Sequence, residues 1–491
     1  MLSHLPILQV ILPLLAAPSC LILGRPALAW GFSFATSAAA MLISMLLLQQ
    51  VWLEGPISYF LGGWEAPWGI EYRIDLLNAF LLLIVSSLST VVLAGTRQSV
   101  AAEVEPNKQT LFYVSWLLCL AGLLGILATG DAFNVFVFLE VSSLSTYTLI
   151  SLGRDRKALW ASYQYLIVGT IGATFILIGI GLMYMMTGTL NMQDLAQRLP
   201  VVADTRTVFA AYAFVIVGVC LKLALFPLHL WLPNAYAYAP SAVTAFLAAT
   251  ATKVAVYLLI RFSFTVFGAD FGAMDIPLHQ LFIALGLIAV FSASLVAILQ
   301  IDIKRAIAYS SVAQIGYMII GLGLGSAAGL QATLLHLFNH ALMKGALFMS
   351  LAAVALRMGS TRLDDLAGLS QRMPLTAMAF VLGGLSLIGV PLTVGFISKW
   401  YLVIATLEMG MWPVAALILV GSLLAVMYIW RVVEVMYFRD PPASSQVSEA
   451  PVSVLLPLWL LVVANIYFGI DTALPVSVTA DAAQALLGWG K

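Results

Sequence analysis

Four lysines and one glutamate stand inside long apolar stretches of this sequence, where a charge is costly. The lysines are Lys222, Lys253, Lys344 and Lys399, and the acid is Glu140. A lysine at the centre of a membrane-spanning helix costs about 2.5–3.5 kcal/mol on insertion scales, so ionisable residues at such depth mark ion or proton pathways by default. For Glu140 taken alone, a structural ion pair is the alternative.

Two histidines share a predicted helix with Lys344. His336, His340 and Lys344 follow one another at every fourth position, which stacks them on one helix face with a drift of about 40° per step. Imidazole gains and loses protons near neutral pH, so this spacing favours a proton relay. A metal site is the competing interpretation, but no carboxylate or cysteine lies near in the sequence. We therefore expect no metal and no cofactor.

Two of the lysines lie beside residues that break helices. Lys222 precedes the segment Phe226–Pro233, which contains two prolines, and Lys399 follows Gly389 and Pro391. Proline removes a backbone donor and interrupts a helix. An interrupted helix at membrane depth is tolerated only where it is buried in protein or lines a watery cavity. The sequence therefore predicts two broken helices, each with a lysine at the break.

The elements that position these residues are apolar helices along the whole chain. Of 491 residues, 62% are hydrophobic and 9% are charged, whereas soluble domains have about 45–50% apolar and 25% charged residues. Stretches long enough to span a bilayer recur from end to end. We expect an all-α polytopic membrane protein with about 14 transmembrane helices. A net charge of zero argues against nucleic-acid binding, and no nucleotide-binding or metal motif favours an enzyme.

The two broken helices predict an internal duplication, because paired interruptions in corresponding positions are typical of inverted-repeat transporters. Each repeat contains five helices with the broken one fourth. An odd number of helices makes the second copy run through the membrane in the opposite direction. The predicted divisions are helices 1–3 at 1–108, the first repeat (helices 4–8) at 109–267, the second repeat (helices 9–13) at 278–438, and helix 14 with the C-terminal tail at 452–491.

The distribution of basic residues predicts the orientation. Most Lys and Arg residues outside the predicted spans fall in one set of alternate loops, and the positive-inside rule places such loops in the cytoplasm. With an even number of spans, both termini then lie on the outer face.

These residues and their surroundings resemble the antiporter-like subunits shared by Mrp-type Na+/H+ antiporters, respiratory complex I and membrane-bound hydrogenases. The resemblance covers essentially the whole chain. Within that family it is greatest with the D-type subunits of Mrp antiporters, given the length, the number of spans and a lysine at position 399. The motifs that carry it are residues 129–134 leading to Glu140, Lys222 with residues 226–233, residues 336–348 and residues 395–400.

The resemblance implies that the buried row conducts protons in three sections. These sections are the coupled pair Glu140 and Lys222 in a first half-channel, the central connection Lys253 and His340, and the exit side Lys344 and Lys399.

The resemblance also implies a function and its partners. The chain would be the proton-translocating subunit of a multisubunit monovalent cation (Na+)/H+ antiporter in a bacterial inner (plasma) membrane, a secondary transporter and not an enzyme. It would assemble with the other subunits of a hetero-oligomeric membrane complex. One alternative is a redox-driven proton-pumping subunit of a complex I-like NADH dehydrogenase or a membrane-bound hydrogenase. Another is a non-transporting assembly subunit, whose buried lysines would tolerate replacement by Met or Leu.

Overall fold

The computed structural model describes residues 2–268, 271, 278–441 and 447–488. Within these residues, thirteen helices are long and apolar enough to cross a membrane. The shorter apolar helix Pro374–Ile388 is the first half of one further, interrupted helix. The all-α fold with about 14 transmembrane helices is thus confirmed. Met1 and the end of the predicted C-terminal tail, 489–491, lie outside the described residues.

The helices are named in chain order. They are α1 (Leu5–Leu23), α2 (Pro26–Glu54), α3 (Leu76–Glu103), α4 (Gln109–Ala128), α5 (Ala132–Ser151), α6 (Arg156–Thr187), α7 (Met192–Arg198), α8 (Arg206–Leu223), α9 (Trp231–Tyr238), α10 (Ser241–Ile260), α11 (Leu278–Leu299), α12 (Ile303–Gly323), α13 (Ala327–Met358), α14 (Leu369–Arg372), α15 (Pro374–Ile388), α16 (Val394–Glu408), α17 (Trp412–Phe438), α18 (Val452–Ile470) and α19 (Ala473–Gly488). A π-helical turn, Arg261–Val266, continues α10.

A small antiparallel hairpin joins α2 to α3. Its strands are β1 (Ile57–Phe60) and β2 (Glu71–Ile74), paired from Ile57 with Ile74 to Phe60 with Glu71. The sequence analysis predicted no strand, because four residues are too few for alternation to stand out from a short apolar run.

The predicted broken helices are both present. α8 ends at Leu223 and α9 begins at Trp231, while α15 ends at Ile388 and α16 begins at Val394. Each break contains a non-glycine residue with positive φ, Ala224 at 59° and Leu392 at 71°, and these are the two such residues in the described part of the chain. This conformation is unfavourable for residues with a Cβ atom and is typical of functional sites.

One detail of the first break differs from the prediction. Pro227 lies in the break, but Pro233 lies inside α9. Since Pro233 is the third residue of that helix, its missing N–H is one that the first turn leaves unbonded in any case. A single proline therefore accompanies this break.

Local features of the first predicted repeat recur in the second, and each pair of equivalent features is separated by the same number of residues. α6 and α13 each have 32 residues. The recurring pairs are the N-caps Asp131 and Asp302, the left-handed C-caps Gly188 and Gly359, and the isolated bridges Asp131–Asn191 and Asp302–Arg362. This recurrence supports a duplicated architecture. The repeat boundaries at 109–267 and 278–438 stay predictions.

Four of the titratable residues, Lys253, His336, His340 and Lys344, lie on strongly enclosed helices. Nearly every residue of α10 and α12 is buried, as is most of α13. The outer helices α2, α6 and α17 instead expose large apolar side chains such as Leu42, Ile171 and Leu423. The central part of the row therefore faces protein, while the exposed apolar surfaces are suited to lipid.

Candidate functional site

The first part of the site joins α5 to the end of α8. Lys222 lies in the last turn of α8, is 8% exposed, and its Nζ donates to Ser143 Oγ at 2.7 Å. Glu140 is one turn before Ser143, and its Oε1 is buried without a hydrogen-bond partner. Glu140 acts electrostatically on Lys222, but no direct ion pair joins them among the described residues. The hydrogen-bond partner of Lys222 is thus the Ser143 hydroxyl and not the Glu140 carboxylate.

A small cavity extends from Lys222 toward α10. Its volume is about 40 Å³, and its lining includes Ser143, Thr146, Lys222 and Thr252. A cavity needs at least about 10–15 Å³ to hold a water molecule, so this one has room for water. Thr252 Oγ1 accepts a hydrogen bond from Lys253 Nζ at 3.3 Å. Hydroxyl groups and cavity together connect Lys222 with Lys253.

Lys253 occupies the centre of the row. Its side chain is fully buried, and its Nζ also donates to the carbonyl oxygen of Ala248 in the preceding turn of α10. Lys253 acts electrostatically on His336, His340 and Lys344 of the facing helix α13. The structure thus brings Lys253 of α10 close to the titratable groups of α13.

The two histidines form a stacked pair on α13. Their ring centroids lie 6.1 Å apart with an angle of 4° between the planes. His336 Nδ1 lies 2.9 Å from Ser398 Oγ, whereas both ring nitrogens of His340 are buried without a hydrogen-bond partner. A buried polar group without a protein partner is rare. Across the described ranges, no three potential metal ligands converge.

Lys344 and α12 make the next contact. The Nζ of Lys344 donates to the carbonyl oxygen of Ile307 at 2.8 Å and to Ser310 Oγ at 2.5 Å. The lysine is fully buried. Its partners are a main-chain oxygen and a hydroxyl, both of which stabilise an ammonium group without supplying an opposite charge.

Lys399 lies at the second helix break. Its Nζ donates to the carbonyl oxygens of Leu387 at 3.0 Å and Ile388 at 2.8 Å, the last residues of α15. The free carbonyls at a helix C-terminus carry partial negative charge, which favours a cation there. The ammonium also lies 5.1 Å from the ring centroid of Tyr317.

Close packing of the two half-helices keeps Lys399 in this place. A Cβ atom on Gly395, in the first turn of α16, would lie 1.7 Å from the carbonyl oxygen of Ser386 in α15. Only glycine permits this approach. Asn339 Nδ2 donates to the carbonyl oxygen of Val394 at 2.6 Å and so ties α13 to the same break.

The structure adds polar partners that the sequence analysis did not assign to individual lysines or histidines. They are Ser143, Thr252, Ser310, Tyr317 and Ser398, each described above. Ser143 is three residues from Glu140 and could have been found by helical spacing. The others lie on different helices from the groups they contact or, for Thr252, are its chain neighbour, and spacing alone does not distinguish them from ordinary polar residues. As a whole, the site can hold and exchange protons among amines, imidazoles and hydroxyls across the centre of the bundle.

Comparison with known proteins gives related chains in two kinds of complex. The chain is 41% identical to the N-type subunit of NADH-quinone oxidoreductase from Desulforudis audaxviator, over 100% of this chain and 99% of the relative. It is 30% identical to the D-type subunit of the Na(+)/H(+) antiporter from Alkalihalophilus pseudofirmus, over 87% and 86%. A chain of the Mrp complex from Dietzia sp. has the same fold, with a TM-score of 0.90 and 26% identity over 99% of this chain and 97% of that one.

These findings confirm the resemblance inferred from the motifs. Residues 129–425, which contain all seven titratable residues of the predicted pathway, match the family described as NADH:quinone oxidoreductase/Mrp antiporter, TM. The matched segment exceeds half of the chain, and the relatives align along most of their own length. The chain is therefore a multi-span membrane protein that belongs to the NADH:quinone oxidoreductase/Mrp antiporter family.

Proposed function

We propose that this chain is the proton-translocating subunit of a hetero-oligomeric membrane complex, and that the complex is a monovalent cation (Na+)/H+ antiporter. The observation that carries the proposal is the buried row, which runs through both predicted repeats. Its members are Glu140, Lys222, Lys253, His336, His340, Lys344 and Lys399.

The chemistry of the row favours protons over alkali-metal ions. Amines and imidazoles bind protons, whereas Na+ and K+ prefer oxygen ligands with negative charge. Glu140 is the sole acid among the seven residues. Moving one charge across the whole membrane involves about 2.3 kcal/mol per 100 mV, a cost that several intermediate sites divide into smaller steps. We assign the passage of the second cation to a partner subunit.

Two similarities support the antiporter assignment. The antiporter chain of A. pseudofirmus aligns over most of this chain, and a chain of the Dietzia Mrp complex matches its fold with a TM-score of 0.90. As part of this proposal, the chain lies in the inner (plasma) membrane of a bacterium with both termini outside.

A second candidate is a redox-driven proton-pumping subunit of a complex I-like assembly. The observation in its favour is the 41% identity with the NADH-quinone oxidoreductase chain over the whole sequence, which is higher than the 30% identity with the antiporter chain. Under this alternative the same row conducts protons, and electron transfer in partner subunits supplies the energy.

Everted vesicles containing the complete set of neighbouring gene products distinguish the candidates. An imposed pH gradient should collapse when Na+, K+ or Li+ is added, and Lys399→Met should abolish that response at unchanged complex levels. Acidification that requires NADH and ignores added cations would instead support the redox-driven pump. Full activity with Lys222→Met, Lys253→Met and Lys399→Met would contradict both candidates and indicate an assembly subunit.

A further inference from the structure

A polar cleft of about 840 Å³ opens at the face where α3, α9 and α13 end. One wall comes from the first predicted repeat, through the α5–α6 loop and the α9–α10 junction. The other comes from the second, through the α11–α12 junction and the end of α13. Charged side chains of both signs line it, so water can enter. Under the proposed orientation this face is cytoplasmic.

Lys304 lies in the wall of this cleft where the cleft meets the protein interior. It is the second residue of α12 and is 6% exposed. Its Nζ donates to the carbonyl oxygen of Ala239 at 2.6 Å, at the end of α9. The carboxylates of Glu103 and Asp302 act on it electrostatically. Lys304 is thus a buried amine with acidic neighbours at a water-accessible cleft.

Glu103 occupies the neighbouring position at the end of α3. Its Oε2 accepts a hydrogen bond from the backbone N–H of Ser241 at 2.6 Å, and its Oε1 accepts one from Ser99 Oγ at 3.1 Å. Ser241 is the first residue of α10, the helix that carries Lys253. The acid is therefore fixed in the cleft wall, where its negative charge attracts protons.

Lys304 lies on the same helix, α12, as the two groups that hold Lys344. Ile307 is one turn further along α12, and its carbonyl oxygen and Ser310 Oγ are the two groups that hold Lys344 Nζ. At 1.5 Å per residue, Ser310 lies about 9 Å along the helix axis from Lys304. Because almost all of α12 is buried, this path runs inside the protein between the two repeats.

We propose that this cleft is the entrance through which hydrated protons reach the row, and that Lys304 receives each proton and passes it toward Lys344. The neutral amine of Lys304 takes a proton from hydronium in the cleft and leaves a water molecule there. Water between the two lysines and the Ser310 hydroxyl, which contacts Lys344 Nζ, then carry a proton on to the neutral amine of Lys344, and Lys304 returns to its neutral starting form. This inference rests on the proposed function and deepens it by naming the entry. Under this inference Lys344 belongs to the entry side, and Lys399 remains the exit residue.

A purely structural role is the alternative, since Lys304 also caps α9 through Ala239. Lys304→Arg separates the two, because arginine keeps the N–H donors for Ala239 but does not release its proton. In everted vesicles containing the full complex, we expect proton translocation to fall by about a hundredfold, a typical effect of losing a proton-transfer group, at unchanged complex levels. The wild-type rate in this variant would overturn the inference. Lys108→Arg is the matched control, because Lys108 is exposed on the same face and pairs with Glu105 at 2.8 Å; its rate should not change.

Glu103→Gln is a second test of the entrance, and it can be made even if the Lys304→Arg protein does not assemble into the complex. Glutamine keeps an acceptor for Ser241 but removes the negative charge. We expect the rate to fall about tenfold, the lower end of the effect of focusing ions into a charged cleft. An unchanged rate at unchanged complex levels would contradict the proposed entrance.

Lys399→Met, measured in parallel, separates the proposed entrance from the proposed function. If it abolishes transport while both cleft variants are normal, only the entrance is wrong, whereas if it is normal, the proposed function is wrong.

Discussion

The Nζ of Lys399 lies 2.8 Å from the carbonyl oxygen of Ile388, so a lysine in the second half of a broken helix holds the end of the first half. The last carbonyls of a helix have no partner within it, and an ammonium group at membrane depth has lost the water that would otherwise solvate it. The ammonium group and the carbonyl oxygens therefore provide each other with hydrogen-bond partners. The lysine and the helix break are therefore in direct contact in the structure, as their proximity in the sequence predicted.

Replacing this lysine tests its part in transport. We expect Lys399→Ala to abolish cation-dependent proton movement in everted vesicles, because the variant removes the amine that the structure places at the end of α15. Losing its hydrogen bonds costs about 1–3 kcal/mol, which should leave the complex assembled when measured on native gels. Lys108→Ala, at an exposed surface position, is the control. Normal exchange activity in Lys399→Ala would refute the exit role.

The packing at the second break predicts a stability effect. Gly395→Ala would place a Cβ atom 1.7 Å from the main-chain oxygen of Ser386, a clash that no side-chain rotation can relieve. We expect a lower thermal unfolding midpoint of the purified protein, equivalent to a loss of about 1–3 kcal/mol or more. Gly181→Ala is the control, since its Cβ would meet nothing within 4 Å. Equal midpoints for the two variants would show that the break can rearrange.

The Ser143 hydroxyl that holds Lys222 predicts a partial loss of activity on its removal. Ser143→Ala removes the acceptor 2.7 Å from Lys222 Nζ and leaves the amine with a cavity beside it. We expect the transport rate to fall about tenfold, corresponding to about 1.4 kcal/mol. Ser145→Ala is matched in helix and burial, but its hydroxyl bonds to the carbonyl oxygen of Val141 in its own helix. A similar loss in both variants would indicate an effect on α5 rather than on Lys222.

A buried ion pair outside the row predicts a pH-dependent stability. Asp75 immediately precedes α3, and its Oδ2 lies 2.7 Å from a guanidinium nitrogen of Arg261. Burial alone raises the pKa of the Asp75 carboxyl, but Arg261 and the Asn78 backbone N–H outweigh burial and hold this pKa below its ordinary value. A lowered pKa in the folded state stabilises the protein above the unfolded-state pKa, and this contribution is lost as the pH falls.

Asp75→Asn should therefore unfold at a lower temperature than the wild type at pH 7. Breaking a buried pair on one side costs about 3–5 kcal/mol. The difference between the two proteins should narrow as the pH falls through the acidic range below about 4. Thermal unfolding monitored by circular dichroism at several pH values measures this. Glu105→Gln, in the exposed pair with Lys108, should leave the midpoint unchanged. A constant difference at all pH values would contradict the assignment to Asp75.

The sequence was sufficient for those features that residue types encode directly. Lysines such as Lys222 and Lys399 stand out because charge is rare in apolar helices, and the breaks beside them stand out because proline and glycine disfavour helices. The family resemblance then predicted that Glu140 and the histidine pair belong to one pathway. The structure confirms the spans and both breaks.

The partners of the lysines were beyond prediction for a physical reason. Lys253, Lys344 and Lys399 all donate to main-chain carbonyl oxygens, and every residue has such an oxygen, so no residue type marks the position. The Ser143 hydroxyl was also not assigned to Lys222, because the distance between side chains on different helices depends on packing. The cleft at Lys304 combines segments from five parts of the chain, which spacing within any one segment does not reveal.

The length of α13 has a consequence for how this chain can vary. The helix runs for 32 residues without interruption and carries His336, His340 and Lys344 on successive turns. Inserting one residue between His340 and Lys344 would rotate the lysine by about 100° around the axis, away from Ile307 and Ser310. Insertions can therefore be accommodated in the surface connections, whereas the residue count of α13 must stay constant to keep the imidazoles and the amine aligned.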